Sequence, residues 1–384
     1  MERIYLDNAA TTPIRDEVVE AMTSSLRTSI GNPSSSHQFG REVRSFIEES
    51  RISVARKLNA LPSEIIFTSG GTEANNLILR SSVRDLNVKR IITSPLEHKA
   101  VLETVLDMER SGWVTVELVR LKEKGVVDLK DLDKKLQNDS IPTLVSLMYG
   151  NNEVGNLLDV DSFGLICKKH GAYFHSDTVQ AIGHYPMDMS RLPFDFASSS
   201  AHKFHGPAGI GFAFIRKAVR LRPIITGGYQ ERSMRAGTEN TYGIVGLSKA
   251  LELACLHLDE DRKRIEELKS YCILLLKQTI PGIVFNGLSD DILRSLYTIL
   301  SVSLPVKNDL LGFELDLKGI AVSQGSACGS GSGKSSYVIE AICDPVQVEN
   351  TTPLRISFGV FNQKEDIDAL VLALEILMDQ KKEY

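Results

Sequence analysis

The order of strands and helices along the chain is the feature that most constrains its fold. Between about residue 65 and residue 215, short β-branched and aromatic runs alternate with helical patterns. A run at residues 65–67 precedes a helical pattern at 77–83, and a run at 143–148 precedes a helical pattern at 162–170. This alternation is typical of a mostly parallel, doubly wound sheet, so we predict an α/β fold.

Polar residues follow several of the predicted strands. In open α/β sheets ligands bind beyond the carboxyl ends of the strands, so residues in these positions should share one site. They are Thr72, His98, Asn151, Asp177, Gln180 and Lys203.

Lys203 follows a strand-like run that starts at Asp195, and it stands between His202 and His205. The end of a buried strand disfavours the ammonium form of a lysine, and a lysine that works as an amine needs such a place. The serines before it and His202 could hold a phosphate. Taken alone, a solvated loop lysine is the alternative interpretation.

The stretch 68–76, TSGGTEANN, joins a predicted strand to a predicted helix. A glycine pair there lets backbone N–H groups approach an anion at the helix N-terminus; an ordinary turn capped by Ser or Thr is the alternative. Pyridoxal 5'-phosphate needs a lysine, a carboxylate, a phosphate-binding helix start and a flat side chain such as His98. Asp177 would pair with its pyridinium nitrogen and keep it protonated.

Composition excludes some classes of protein. The chain has 44 Lys and Arg against 49 Asp and Glu, and its net charge of -5 argues against a general nucleic-acid binder. No apolar run approaches the roughly 18 residues that a membrane span needs, and the first residues lack the features of a signal peptide. The five cysteines include no CxxC pair, so we predict a cytoplasmic protein with reduced thiols and no metal site.

The length of 384 residues allows two domains. We predict a large domain at residues 14–258 and a small domain formed by residues 1–13 and 259–384. Residues 323–336, SQGSACGSGSGKSS, should be a flexible loop because they are low in complexity.

Ten short segments span nearly the whole chain in order: YLDNAATT, GNPSSSH, TSGGTEANN, EHKAV, NNEVG, HSDTVQAIGH, SSSAHKFHGPAGIGF, ERSMRAGTEN, GSAC and LRISFG. On these segments the chain resembles the cysteine desulfurases, in the class V branch of the fold-type I pyridoxal-phosphate enzymes. The resemblance implies a fold-type I transferase. Its large domain would contain a mostly parallel seven-stranded sheet, and a smaller α+β domain would carry the loop with Cys328.

The resemblance also implies the roles of the site residues. Lys203 would be the Schiff-base lysine, Cys328 the nucleophile that accepts sulfur, and His98 a side chain that stacks on the ring and assists proton transfer. Asn32 and Arg355 would hold the substrate carboxylate, which a guanidinium matches bidentately. The cofactor would be bound by Gly71, Thr72, His98, Asn151, Asp177, Gln180, Ser200, His202 and Lys203, with Thr238 supplied by the other subunit of a homodimer.

The implied reaction converts L-cysteine to L-alanine and leaves the sulfur on Cys328 as a persulfide. A Gly/Ser loop suits a thiolate that must reach the pocket and then pass sulfur to an acceptor or iron–sulfur scaffold protein. Cys255 and Cys272 lie in apolar helical stretches, where we predict core or near-core positions.

The chain departs from the family pattern at several positions. Gly329 follows the loop cysteine where threonine is usual, and residues 331–334 make the loop richer in glycine. Tyr229 stands where a third glycine is common, and Gly150 where Ala or Val is usual. These differences bear on the loop and on partner choice, and they leave the cofactor assignment intact.

Two other functions are alternatives. Residues 328–335, CGSGSGKS, resemble the phosphate-loop pattern GxxxxGK(S/T) of nucleotide-binding proteins. Cys328 replaces the first glycine of that pattern, and the sequence supplies no clear acidic strand for magnesium. A class V aminotransferase or lyase with another substrate is the second alternative, and Cys328 within GSAC is the feature against it.

Overall fold

The structure is a computed structural model that describes residues 3–137, 140–324 and 336–382, with the backbone alone for 380–382. The strands within these residues are β1 Ile4–Tyr5, β2 Ile65–Thr68, β3 Arg90–Thr93, β4 Thr115–Leu118, β5 Thr143–Ser146, β6 Tyr173–Asp177, β7 Phe196–Ser200, β8 Gly211–Ile215, β9 Val284–Phe285, β10 Ile299–Leu304, β11 Ile320–Ala321 and β12 Thr352–Ser357.

The helices of the described residues follow the strands in the predicted alternation. They are α1 Asp16–Thr28, α2 Gln38–Lys57, α3 Gly71–Asp85, α4 Lys99–Arg110, α5 Leu129–Leu136, α6 Val160–Lys169, α7 Gln230–Ser233, α8 Thr241–Leu256, α9 Leu258–Thr279, α10 Leu311–Leu317, α11 Tyr337–Ile342, α12 Pro345–Asn350 and α13 Lys364–Lys382. Short 3-10 turns lie at Pro62–Glu64, Glu123–Gly125 and Ala201–Lys203.

The large sheet has seven strands in the order β2-β8-β7-β6-β5-β3-β4. The pairs from β7 through β6, β5 and β3 to β4 are parallel, whereas β8 runs antiparallel to both β7 and β2. Parallel strands need long crossovers, and helices provide most of them, whereas β6 and β7 are joined by residues 178–195 without a helix. The prediction of a mostly parallel seven-stranded sheet is therefore confirmed.

A second region combines a three-stranded antiparallel sheet, β12-β10-β9, with a parallel pair of β1 and β11. Its apolar core contains Leu6 together with residues of α9, β10, β12 and α13. Cys272 on α9 is fully buried in this core, and Cys255 is half-buried beside the core of the large sheet. The division into residues 14–258 and residues 1–13 with 259–384 stays a prediction.

The described residues contain no candidate membrane span and no candidate metal cluster. None of the helices there is long and apolar enough to cross a membrane. The His, Cys, Asp and Glu side chains of the same residues form no group of three that could hold a metal ion.

Lys269 on α9 is a fully buried amine near the junction of the two regions. Its Nζ donates to Ser295 Oγ at 2.7 Å and to the carbonyl of Leu296 at 2.8 Å. Burial lowers the pKa of Lys269 to about 7, although nearby Asp290 and Asp291 favour the charged form. An unfolded lysine has a pKa of about 10.4. The unfolded chain therefore binds more protons at this position, and folding stability should rise as the pH rises from about 7 toward 10.

We predict that Lys269→Met removes this pH dependence. The free energy of unfolding of the wild type should rise relative to that of the variant by up to about 1.4 kcal/mol per pH unit in this window. Urea unfolding at pH 7, 8 and 9, followed by circular dichroism, measures the difference. Lys277→Met, which changes an exposed lysine of the same helix, is the matched control. The prediction would be contradicted if the free energies of unfolding of Lys269→Met and the wild type changed with pH by the same amount.

Candidate active site

A cavity of about 430 Å³ lies at the carboxyl edge of the large sheet. Nine residues that the sequence assigned to the site line it: Gly71, Thr72, His98, Asp177, Gln180, Ser200, His202, Lys203 and Arg355. The first eight end strands of the sheet or follow them. They meet at the cavity because parallel strands bring their carboxyl ends to one edge. Arg355 reaches the same cavity from β12.

Lys203 ends the 3-10 turn that directly follows the fully buried strand β7. Its Nζ donates to the carbonyl of Ala9 at 2.6 Å and to that of Ala10 at 2.7 Å. Gln180 Nε2 also donates to the carbonyl of Ala9, at 3.1 Å. The N-terminal segment therefore forms the wall against which both side chains are held.

Asp177 is the last residue of β6 and is 5% exposed. Its Oδ2 accepts from Asn75 Nδ2 at 2.7 Å, and its Oδ1 accepts from the Val179 amide at 3.0 Å. The two hydrogen bonds hold the carboxyl group at the end of β6. Sequence analysis missed Asn75, although its place one helical turn after Gly71 was a usable signal.

The N-terminus of α3 faces the cavity through residues 69–73. Gly70 has a φ of 152° and ψ of -175°, a backbone conformation that is essentially restricted to glycine. A Cβ at Gly71 would lie 2.6 Å from Cγ2 of Val179, so the start of α3 can approach the end of β6 only without a side chain there. The first turn of a helix presents unpaired N–H groups and a positive dipole end, which together attract an anion.

Two histidines stand at the cavity in their neutral forms. His98 caps α4, and its Nδ1 accepts the amide of Ala100 at 3.1 Å, which leaves the proton on Nε2. Burial lowers the pKa of His98, and the charges of Lys203 and Lys99 act in the same direction. Burial, assisted by Lys203, lowers the pKa of His202 to about 4.

Arg355 is 4% exposed and is held by three groups. Its Nη2 donates to Asp7 Oδ1 and to Ser323 Oγ, both at 2.9 Å, and its Nη1 donates to the carbonyl of Asn152 at 2.8 Å. Its buried Nε has no hydrogen-bond partner among the described residues. The guanidinium is thus fixed at the cavity before any ligand arrives. Sequence analysis did not identify Asp7.

Two buried carboxyl groups near the cavity were also missed. Glu97 is fully buried, and its Oε1 accepts the amide of Met148 at 2.8 Å. Burial raises the pKa of Glu97 well above its usual value, and the charge of Asp177 adds to the effect. Burial also raises the pKa of Glu153, while Ser336 opposes the shift. Glu97 directly precedes His98 in the sequence and Glu153 directly follows Asn152, and these positions could have pointed to both carboxyl groups.

Three of the predicted site residues lie away from the cavity in the single chain: Asn151, Asn32 and Thr238. Asn151 is 3% exposed, and it organises its own turn: Oδ1 accepts the amides of Glu153 and Val154, and Nδ2 donates to the carbonyl of Leu96, each at 2.9 Å. Asn32 is exposed, and its Oδ1 accepts the amide of Ser34 at 2.9 Å.

Thr238 is exposed at the surface, and Cys328 lies outside the described residues. Two ion pairs hold the loop that carries Thr238, one of them to a residue that lines the cavity and the other to α2. Arg235 Nε contacts Glu73 at the start of α3 at 2.9 Å, and the buried Glu231 binds Arg51 through two contacts of 2.8 Å.

Known proteins resemble this chain over nearly its whole length. Residues 4–370 match the family model described as aminotransferase class-V. The cysteine desulfurase IscS of Dictyoglomus turgidum is 41% identical over 98% of this chain and 95% of its own length. A solved NifS-like protein superposes with a TM-score of 0.90 at 38% identity, covering 98% of this chain and 100% of that one.

A second solved structure, of a protein named SspA in complex with cysteine, gives a TM-score of 0.79 at 29% identity. It covers 94% of this chain and 100% of its own. The chain therefore belongs to the class-V aminotransferase family, among relatives that are cysteine desulfurases.

Proposed function

We propose that the protein is a cysteine desulfurase, which uses pyridoxal 5'-phosphate to convert L-cysteine to L-alanine and transfers the sulfur to Cys328. One observation carries the proposal. Lys203, Asp177, the start of α3 and Arg355 line a single cavity, in a chain similar over its length to a cysteine desulfurase. A relative solved with cysteine supports the choice of substrate.

The residues at the cavity fit the cofactor. The start of α3 would hold the phosphate together with Ser200 and His202, since that helix end attracts anions. Asp177 would pair with the pyridinium nitrogen, because it lines the cavity and two hydrogen bonds hold its carboxyl group there. When bound, pyridoxal phosphate supplies an electron sink for the electrons released at the substrate Cα.

Lys203 supplies the amine that anchors the cofactor and the base that moves the Cα proton. Its Nζ donates to the carbonyls of Ala9 and Ala10. Nζ must therefore leave these carbonyls before it can act at the substrate Cα. His98 is neutral with its proton on Nε2, so it can donate a hydrogen bond in the site without adding a second positive charge.

Arg355 would bind the carboxylate of cysteine, because it lines the cavity and a guanidinium matches a carboxylate in charge and shape. The thiolate of Cys328 then attacks the substrate sulfur. An S–S bond forms, the C–S bond breaks, and its electron pair remains on the substrate carbon, which takes up a proton. Cysteine and the Cys328 thiol thus become alanine and a Cys328 persulfide, with no external oxidant or reductant.

The proposal includes a homodimer, a cytoplasmic location and a protein that accepts the sulfur. Thr238 is exposed in the single chain, which supports a homodimer in which it completes the phosphate site of the other subunit. The four described cysteines are unpaired, which supports a reducing compartment such as the cytoplasm. The persulfide would then supply an acceptor protein or an iron–sulfur scaffold.

The first prediction from the proposed function concerns the cofactor. The purified protein should be yellow, and borohydride should fix the colour to the peptide that contains Lys203. Lys203→Ala should lose this covalent attachment. Lys99→Ala, which changes another lysine of the cavity, should keep it. Absorbance spectra and peptide mass spectrometry provide the measurement, and a colourless protein that binds ATP would support the phosphate-loop alternative instead.

The second prediction concerns the thiol. Cys328→Ala should keep the cofactor and its spectral response to cysteine, because the residues that bind both remain. Alanine and sulfide production should fall by about a hundredfold or more, since the sulfur nucleophile is lost. The wild type should carry one equivalent of reducible sulfur on Cys328 after cysteine is added without a reductant. Turnover by Cys328→Ala at the wild-type rate would refute the assigned activity.

The third prediction concerns assembly. Lys203→Ala and Thr238→Ala should each lose activity as pure proteins. Mixing them under conditions of subunit exchange should restore part of it, because one of the two sites in a hybrid dimer would be intact. Activity assays before and after exchange, with size-exclusion chromatography, test this. A fully active monomer would exclude the shared site.

A further inference from the structure

The first described residue after the segment that contains Cys328 is Ser336, and it is fixed to the wall of the site. Its Oγ donates to Oε2 of Glu153. The same Oγ accepts the amides of Val338 at 3.1 Å and Ile339 at 3.3 Å, so it also caps α11. Ser336 is 1% exposed and Glu153 5% exposed, so water competes little for this contact.

The next residue, Tyr337, is attached to the same wall. Its hydroxyl donates to the backbone carbonyl of Glu97 at 2.6 Å, and Nζ of Lys99 lies 5.9 Å from the centre of its ring. Tyr337 itself lines the cavity. The chain therefore leaves the Cys328 segment through two consecutive residues that are held at the cavity.

Glu153 belongs to the turn that also orients Arg355. The carbonyl of Asn152 accepts from Arg355 Nη1 at 2.8 Å. Asn151 Oδ1 accepts the amides of Glu153 and Val154, each at 2.9 Å, which closes the turn. One short turn thus contacts both the guanidinium and the C-terminal end of the Cys328 segment.

We propose that Glu153 is a positioning residue for sulfur transfer, because through Ser336 it ties the segment carrying Cys328 to the turn that orients Arg355. This inference rests on the proposed function, in which Arg355 holds the substrate and Cys328 attacks its sulfur. Ser336 lies eight residues after Cys328. Eight residues span at most about 28 Å even when the chain is fully extended. Fixing this end near the cavity limits the positions that the thiol can occupy.

The geometry of attack depends on the relative position of two groups that the turn connects. The substrate sulfur is placed by the carboxylate contact with Arg355, and the attacking sulfur belongs to a segment whose next residue, Ser336, is held by Glu153. A misplacement of about 1 Å between reacting groups can cost about a hundredfold in rate. Loss of the Glu153–Ser336 contact should therefore slow sulfur transfer more than it weakens substrate binding.

The experiment compares Glu153→Ala, Glu153→Gln and Ser336→Ala in the cofactor-loaded protein. Glu153→Ala should lower kcat for alanine formation by about 10-fold to 100-fold, while KM for cysteine stays within about threefold and the spectral response to cysteine remains. Glu153→Gln keeps an oxygen acceptor for Ser336, so its kcat should stay within about threefold of the wild type.

The matched control is Glu64→Ala. Glu64 is 7% exposed and accepts the amides of Lys217 and Leu61, each at 2.9 Å, and it does not line the cavity. Its loss should lower stability and leave kcat unchanged. A readout independent of turnover is the alkylation of Cys328 by iodoacetamide in the resting protein. Alkylation should be several-fold faster in Glu153→Ala and Ser336→Ala, and unchanged in Glu153→Gln and Glu64→Ala.

Other results would overturn the inference. If Glu153→Ala is less stable but retains the wild-type kcat and alkylation rate, Glu153 is structural only. If it loses the spectral response to cysteine, its role lies in binding rather than in sulfur transfer. If Glu153→Ala does not fold, Ser336→Ala decides by the same two measurements. A wild type that forms no persulfide on Cys328 would refute the proposed function itself, which separates that failure from a failure of the positioning role.

Discussion

The site depends on the N-terminal segment that lies between the two sheets. Leu6 is fully buried in the core of the smaller sheet, and the next residue, Asp7, pairs with Arg355 at 2.9 Å. Two residues further on, the carbonyls of Ala9 and Ala10 accept from Lys203 on the large sheet. A few residues therefore bring a lysine from one sheet and an arginine from the other to a single cavity.

The wall of this cavity contains polar groups whose burial is costly. Transfer of a charged group out of water is unfavourable unless hydrogen bonds and opposite charges replace the lost hydration. Asp177 and Arg355 have such partners, whereas Oε2 of Glu97 and Nε of Arg355 have none among the described residues. Perturbed and incompletely satisfied polar groups concentrate at functional sites.

Sequence reasoning was most successful where a local pattern has a fixed geometric consequence. Parallel strands place their carboxyl ends at one edge, so Thr72, His98, Asp177 and Lys203 were expected to lie close together, and all four line one cavity. Asn151 also follows a strand, but its side chain binds the amides of its own turn and does not face the cavity. Position after a strand does not specify side-chain direction, because an asparagine can satisfy itself locally.

The sequence by itself determined the alternation of strands and helices, the glycine turn at the start of α3 and the residues that can carry the chemistry. These features depend on local periodicity and on side-chain type. Only the tertiary structure decided that Asp7 fixes Arg355 and that Glu153 holds Ser336, contacts that span 348 and 183 residues. No local pattern encodes such pairs, because each contact exists only when the packing of the two sheets brings distant segments together.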